Sequence, residues 1–165
     1  MEATSLAFDP VDEIDLRYTA LFVELTRLCR ALGAGAHSED VAQDALLYGR
    51  HHIRDLRDPA RLRPWLRTIA VRGVARARTA PRDVPSGEPV FVPVDPDLGL
   101  DASAAIARLP RRERDIVVLV YGLGYAQEEA AEMLGIRRGT IGASLWKARR
   151  RLARDLAAYR REAER

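Results

Sequence analysis

From Gln127 to Leu152 the chain reads QEEAAEMLGIRRGTIGASLWKARRRL, a stretch whose residues suit the recognition of a polyanion rather than covalent chemistry. Ala131, Gly135 and Ile141 stand at offsets of four and six, the spacing of a helix-turn-helix. A small Ala131 lets two helices cross closely, Gly135 can take the positive φ that ends the first of them, and Ile141 plugs the angle between them. Gly139-Thr140 is expected to cap the second helix, whose inward stripe is Ile141, Leu145, Ala148 and Leu152. The remaining faces carry Arg137, Arg138, Ser144, Lys147, Arg149, Arg150 and Arg151. A helix packed on one side and basic on the others fits a major groove.

Covalent chemistry finds little support elsewhere. Cys29 is the only cysteine, so neither an internal disulfide nor a cysteine metal cluster can form. His51 and His52 are neighbours on a predicted helix and do not share a face, which makes them a poor metal pair. With three His, one Cys and no Gly-rich phosphate loop, no catalytic residues, metal site or cofactor are expected, and the protein reads as a non-enzyme. No apolar run is long enough to span a bilayer, and the acidic start MEATSLAFDPVDEIDL lacks a signal-peptide core, so a cytoplasmic location without membrane insertion is expected.

The formal net charge of +3 conceals a strong pattern. Residues 1–58 hold six Arg and eleven acids, residues 59–80 hold six Arg and no acid, residues 81–108 are again acidic, and residues 109–165 are basic. Two basic blocks separated by an acidic one suggest two contacts with one polyanion.

The elements that must position these groups are all helical. Ile14, Tyr18, Leu21, Phe22, Leu25, Leu28, Cys29 and Leu32 fall at helical spacing, with Gly33 as a stop. Ser38 is placed to cap a second helix that turns Val41, Ala42, Ala45, Leu46, Gly49, Ile53 and Leu56 inward. Asp40, Gln43, Asp44 and Leu47 gather on its other side, and an outward Leu47 among polar residues points to a partner surface. Asp58-Pro59 can cap and open a short turn, followed by a helix from about Arg63 to Arg78 with Leu66, Ile69, Ala70, Gly73 and Ala77 inward. Arg63, Arg67 and Arg78 lie on one flank of it and Arg61, Arg72 and Arg76 toward the other; Trp65 sits at the edge of the stripe, placed for packing or for base stacking. Pro81, Pro85, Pro89, Pro93 and Pro96 recur among acids, which predicts an extended linker spanning roughly 50 Å. Asp101–Arg108 and a firmer helix from Leu109-Pro110 to about Leu123 lead into the helix-turn-helix, whose last helix is expected to run to about Tyr159 before fraying.

Three of these stretches together resemble a bacterial sigma factor of the extracytoplasmic-function (ECF) group in the sigma-70 family. SEDVAQDALL resembles the family's helix that grips core RNA polymerase, RDPARLRPWLRTIA the segment that opens and reads the −10 element, and LPRRERDIVVL with EEAAEMLGIRRGTIGASLWKARRRL the domain that reads the −35 element. The resemblance covers roughly residues 14–80 and 105–157. It implies an all-α protein of two small helical domains joined by the Pro-rich acidic linker: a first domain over 1–80, the linker over 81–104 and a helix-turn-helix domain over 105–165.

The resemblance further implies a role for each set. Asp40, Gln43, Asp44 and Leu47 would lie on the coiled coil of the polymerase β′ clamp. Asp58, Arg61, Arg63, Trp65, Arg67, Arg72 and Arg76 would serve the −10 element, the turn at 58–62 holding a flipped base. Arg137, Arg138, Thr140, Ala143, Ser144, Lys147 and Arg149 would serve the −35 element, while Ile116 and Val117 help the second domain grip the β flap. Partners would be core RNA polymerase, promoter DNA and, as in many members, an anti-sigma factor. The chain departs from the family at Gly142 and Ser144, where a Lys and an Arg are usual, and at Arg72 and Arg76, where Asn and Asp are common. Outside this reading stand a helix-turn-helix regulator acting without polymerase and an antagonist that occupies polymerase without starting a promoter.

Overall fold

The computed structural model describes residues 14–79 and 100–163, all helix, turn and loop, with no strand among them. The first helical unit comprises α1 (Tyr18–Ala31), α2 (Ser38–His52) and α3 (Leu62–Thr79), which pack on one another. Leu21, Leu25, Leu28 and Cys29 of α1 meet Val41, Ala42, Ala45 and Leu46 of α2 and Leu66, Ala70, Val71 and Val74 of α3 in its core. The α2–α3 crossing is close because two glycines permit it. A Cβ at Gly49 would overlap the Leu66 side chain, and one at Gly73 would sit 2.8 Å from Val41 Cγ1.

The predicted first stripe holds except at Tyr18, which is exposed and stacks on Phe22 at 6.0 Å between ring centroids. Ser38 is not the cap expected of it. It is already helical and buried, and its hydroxyl donates to the Gly35 carbonyl at 2.7 Å, tying α2 to the preceding 3-10 turn Gly35–His37. The inward stripe of α3 is rotated from the one expected: Val71 and Val74 are buried, while Ile69, Gly73 and Ala77 are only half-buried. The helix has α1 on one side and α2 on another, so its buried arc is wider than a single stripe.

The second unit comprises α4 (Leu100–Arg108), α5 (Arg111–Val117), α6 (Gln127–Leu134) and α7 (Arg138–Ala163). The firm helix expected through Leu123 changes character at Val118, where five residues to Gly122 form a π turn. Val118 and Leu119 are buried there, and Gly124, at φ 73°, reverses the chain toward α6. The long α7 packs across α4, α5 and α6 and is helical to Ala163, beyond the Tyr159 expected. The two units also touch, α3 against α6, and their buried residues form one continuous apolar cluster. The expected linker, Pro81 to Pro96, lies outside the described residues.

Candidate nucleic-acid interface

The helix-turn-helix is built as its spacing requires. Gly135 takes φ 64° and closes α6; its amide donates to the Glu132 carbonyl, and that of Ile136 donates back to the Ala131 carbonyl at 3.0 Å. At the other end of α6 the Glu129 carboxylate accepts from the Ala126 amide at 2.8 Å. Ala131 is buried in the crossing, and Ile141, Leu145 and Ala148 are almost fully covered, with Leu152 half-buried behind them. One detail differs from expectation: α7 begins at Arg138, so Gly139 and Thr140 lie inside its first turn rather than capping it, and the Thr140 amide donates to the Arg137 carbonyl.

This packing leaves a long polar face on α7. Arg137, Arg138, Ala143, Lys147 and Arg149 are exposed, while Thr140 and Ser144 are half-buried. Arg138 Nε lies 2.6 Å from a Glu128 carboxylate oxygen, but both side chains are more than half exposed, so the pair is weak and exchangeable. Arg151 turns the other way, to Glu113 at 3.1 Å. A residue absent from the expected set stands in the middle of this face: Trp146 is 56% exposed, with the Arg150 guanidinium 4.8 Å from its ring centroid. An outward Trp with Arg four residues on is the signal that marks it. Gly142 precedes it by one turn, and nothing lies within 4 Å of a Cβ built there, so the helix surface beside the indole is open.

The first unit presents two further surfaces. Asp40, Gln43, Asp44 and Leu47 are exposed together on α2, with Leu47 46% exposed and Tyr48 beside it. Tyr48 stacks on His52 at 4.0 Å, and His51 and His52 each direct Nδ1 to a main-chain carbonyl one turn earlier, Leu47 and Tyr48 respectively. Between α2 and α3 runs a cleft lined by Asp44, Tyr48, His51, His52, Arg72 and Arg76.

On α3 the turn is as expected. The Asp58 carboxylate accepts from the Ala60 amide at 3.0 Å with Pro59 at the first position of a 3-10 turn, which leads directly into the helix. Its arginines divide in a way that sequence distance hid. Arg67 donates to Glu24 of α1 at 2.7 Å, and Arg63 approaches the same carboxylate at 3.3 Å. Arg61 pairs with Glu132 of α6, and Arg78 holds Asp115 of α5 through two bonds of 3.0 Å. Arg72 and Arg76 are exposed and make no ion pair among the described residues. Trp65 is half-buried against the core. Burial raises the Tyr125 phenol above its ordinary range, opposed by the Arg67 guanidinium 4.9 Å over its ring.

The likeness of this chain to known proteins extends over both helical units. Residues 100–152 match the family model described as Sigma-70, region 4. The ECF RNA polymerase sigma factor SigM of Mycobacterium tuberculosis is 30% identical over 140 residues, covering 81% of this chain and 71% of that protein. The probable RNA polymerase sigma factor RfaY of Xanthomonas campestris pv. campestris is 30% identical over 161 residues, 87% of this chain but only 37% of that one. Among solved structures, CnrH in complex with the cytosolic domain of CnrY superposes with a TM-score of 0.61 at 24% identity, over 90% of this chain and 88% of that one. The sigma factor RpoE of Bartonella quintana, in complex with the anti-sigma factor NepR, superposes with 0.62 at 22% identity, over 88% and 98%. Those two likenesses carry the fold; the match to SigM, extended over both helical units, carries the family. The chain belongs to the ECF group of RNA polymerase sigma factors.

Proposed function

We propose that this sigma factor divides its work among three surfaces, and that none of them performs covalent chemistry. The unit over residues 1–80 docks on core polymerase through Asp40, Gln43, Asp44 and Leu47 of α2, an exposed polar patch around one large apolar side chain that suits the β′ clamp coiled coil. The same unit takes the −10 element on α3: Asp58 shapes the turn that receives a base, Arg61, Arg63, Arg67, Arg72 and Arg76 offer charge to the strand, and Trp65 backs them. The unit over 105–165 lays α7 in the major groove of the −35 element, and residues 81–104 join the two.

Within the groove, Arg138 at the N-terminal end of α7 reads a base, since its bond to Glu128 is exposed and readily exchanged for a guanine edge. Arg137 and Thr140 support it from the same turn, Ala143 and Ser144 approach through small contacts, and Lys147 and Arg149 hold phosphates. The single observation that carries this reading is the exposed basic face of α7 held over a Gly135-closed turn, in a chain 30% identical to SigM across 81% of its length.

The protein works beside polymerase in the cytoplasm; no helix among the described residues is long and apolar enough to cross a membrane. An anti-sigma factor is a fitting further partner, because two structurally similar proteins were solved with CnrY and with NepR bound. A regulator working without polymerase finds no support among these relatives. Run-off transcription with purified core polymerase on a library of genomic fragments tests the reading. Transcripts from a restricted promoter set, dependent on this chain, are expected; operator binding without any transcript would refute it.

A further inference from the structure

Tyr48, His51 and His52 have no part in the reading above, yet they share a groove with Arg72 and Arg76, the two arginines of the α3 block that meet no carboxylate among the described residues. The helices that form the groove run antiparallel, since Gly49 abuts Leu66 toward one end and Gly73 abuts Val41 toward the other. They leave a cleft of about 690 Å³, within the size range of small-ligand sites, with buried Val41 and Ala45 among its lining. The aromatic end is preformed. Tyr48 stacks on His52 with 4.0 Å between ring centroids and 17° between planes. His52 Nδ1 lies 2.9 Å from the Tyr48 carbonyl, and His51 Nδ1 lies 2.8 Å from that of Leu47. A carbonyl oxygen only accepts, so each Nδ1 carries the hydrogen and each ring is held in one orientation. Half of the Tyr48 side chain remains open above this platform. Arg72 and Arg76 are exposed further along. With Gly73 level with Val41, Arg72 stands about 9 Å along the axis from Tyr48, at a rise of about 1.5 Å per residue. Asp44 lies between those two levels, one turn before Tyr48 on α2.

We propose that this groove binds a purine ribonucleoside diphosphate, its base on the Tyr48–His52 platform, its phosphates on Arg72 and Arg76, and its ribose hydroxyls donating to Asp44 between them. The order of groups along the groove is the order of parts in that molecule. A base presents a π face to an aromatic ring whatever its edge, and phosphate oxygens match the fork of a guanidinium. Pyrophosphate alone would leave the platform unused, and an uncharged aromatic molecule would leave two cations unused. A carboxylate repels an anion, so Asp44 fits the site only at the level of the sugar, where hydroxyls can donate to it. That contact favours ribose over deoxyribose, and so a free ribonucleotide over a DNA strand, the other source of base and phosphate. Asp44 also belongs to the patch assigned to core polymerase. A bound nucleotide therefore competes with docking, which makes the chain responsive to nucleotide supply. This consequence rests on the core-docking assignment; the site itself does not.

Isothermal titration of the full chain with ADP and with GDP tests the site. At least one should bind with a stoichiometry of one and a Kd below about 1 mM. Tyr48→Ala and the double variant Arg72→Ala/Arg76→Ala should each weaken that binding roughly tenfold. Asp44→Asn should erase the preference for the ribonucleotide over its 2′-deoxy form. Arg149→Ala, on α7, should bind the diphosphate as the wild type does. The replaced side chains are all exposed, and circular dichroism verifies that helix content is kept. Binding of neither diphosphate overturns the proposal, as does pyrophosphate that binds as tightly as the nucleotide. A single-stranded DNA hexamer that binds more tightly than the diphosphate, and loses that affinity in Tyr48→Ala, assigns the groove to a strand and overturns it too. Saturation with the diphosphate that binds should weaken association of the chain with core polymerase; unchanged association overturns the competition. If the core-docking assignment is itself wrong, Asp44→Arg associates normally with polymerase in the absence of nucleotide, while the titration results stand.

Discussion

Helices α3 and α7 are the two most basic segments of the chain, yet they hold their charge differently. On α3 four of six arginines in the block meet carboxylates brought from α1, α5 and α6. On α7 the cations of the outer face are largely uncommitted, with Arg138 in an exposed pair and Arg151 turned back to Glu113. The α3 helix is also wrapped by neighbours on several sides, while α7 keeps a whole face open. Formal charge along a sequence therefore measures potential binding surface, and the tertiary contacts decide how much of it is available at once. It follows that substitutions on α3 act on stability and binding together, whereas those on the outer face of α7 separate the two.

The largest expected effect lies in the core of α3. Leu66 is fully buried and fills the space over Gly49, so Leu66→Ala should lower the unfolding free energy by about 2–5 kcal/mol in urea melts. Trp146→Ala, on the open face of α7, should leave stability within about 0.5 kcal/mol while weakening binding to −35 duplex in a fluorescence titration. Equal losses of stability at the two sites would erase the contrast drawn between the helices. Next comes Arg78→Ala, which strands Asp115 in a largely covered position and should destabilise by about 1–3 kcal/mol. The same change at Arg149 should be near neutral in thermal melts.

Much of the fold could be read before the structure was known, because amphipathic periodicity and backbone punctuation are local. Gly135 had to be left-handed, Ala131 and Ile141 had to meet, and Asp58-Pro59 had to open a turn; each depends on residues within one or two turns of itself. What escaped was set by neighbours distant in sequence. Ser38 is buried by its bond to Gly35 instead of capping, and Val71 and Val74 are buried because α3 is covered from two directions. Periodicity has no term for the π turn at Val118–Gly122. For the site, the exposed set on α2 and the open face of α7 were legible as outward stripes. The acids that meet Arg61, Arg63, Arg67 and Arg78 were not, since Glu24, Asp115 and Glu132 lie 37 or more residues away along the chain. Trp146 carries a local signal, an outward aromatic side chain with Arg150 one turn on, but the cations around it on the same face mask that signal.

Smaller effects sharpen the contrast. Lys147→Ala should weaken duplex binding about equally on all sequences and lower the slope of log K against log salt by about one, whereas Arg138→Ala should relax preference at one base position. A uniform loss from Arg138→Ala would assign that residue to the backbone instead. Gly142→Ala meets open space inside α7 and should raise stability by up to about 1 kcal/mol in thermal melts.

The smallest effect at neutral pH concerns Cys29, fully buried in the first unit. Burial pushes its thiol from 9.0 up to about 12, so the folded chain keeps a proton that the unfolded chain loses above pH 9. Its contribution to stability is therefore complete below pH 9 and declines as pH rises toward 12. At pH 8 the native thiol should be inert to a disulfide reagent and react only on unfolding.

The central claim is that α3 and α7 read two separate segments of one promoter in the service of core polymerase. The most direct measurement is a footprint of the holoenzyme, combining hydroxyl-radical cleavage with permanganate reactivity, on a promoter recovered from the genomic run-off selection. Two protected segments are expected, with permanganate-reactive thymines confined to the downstream one; Lys147→Ala should weaken only the upstream protection, and Arg72→Ala only the downstream. A single protected segment, or loss of both from either substitution, would contradict the account.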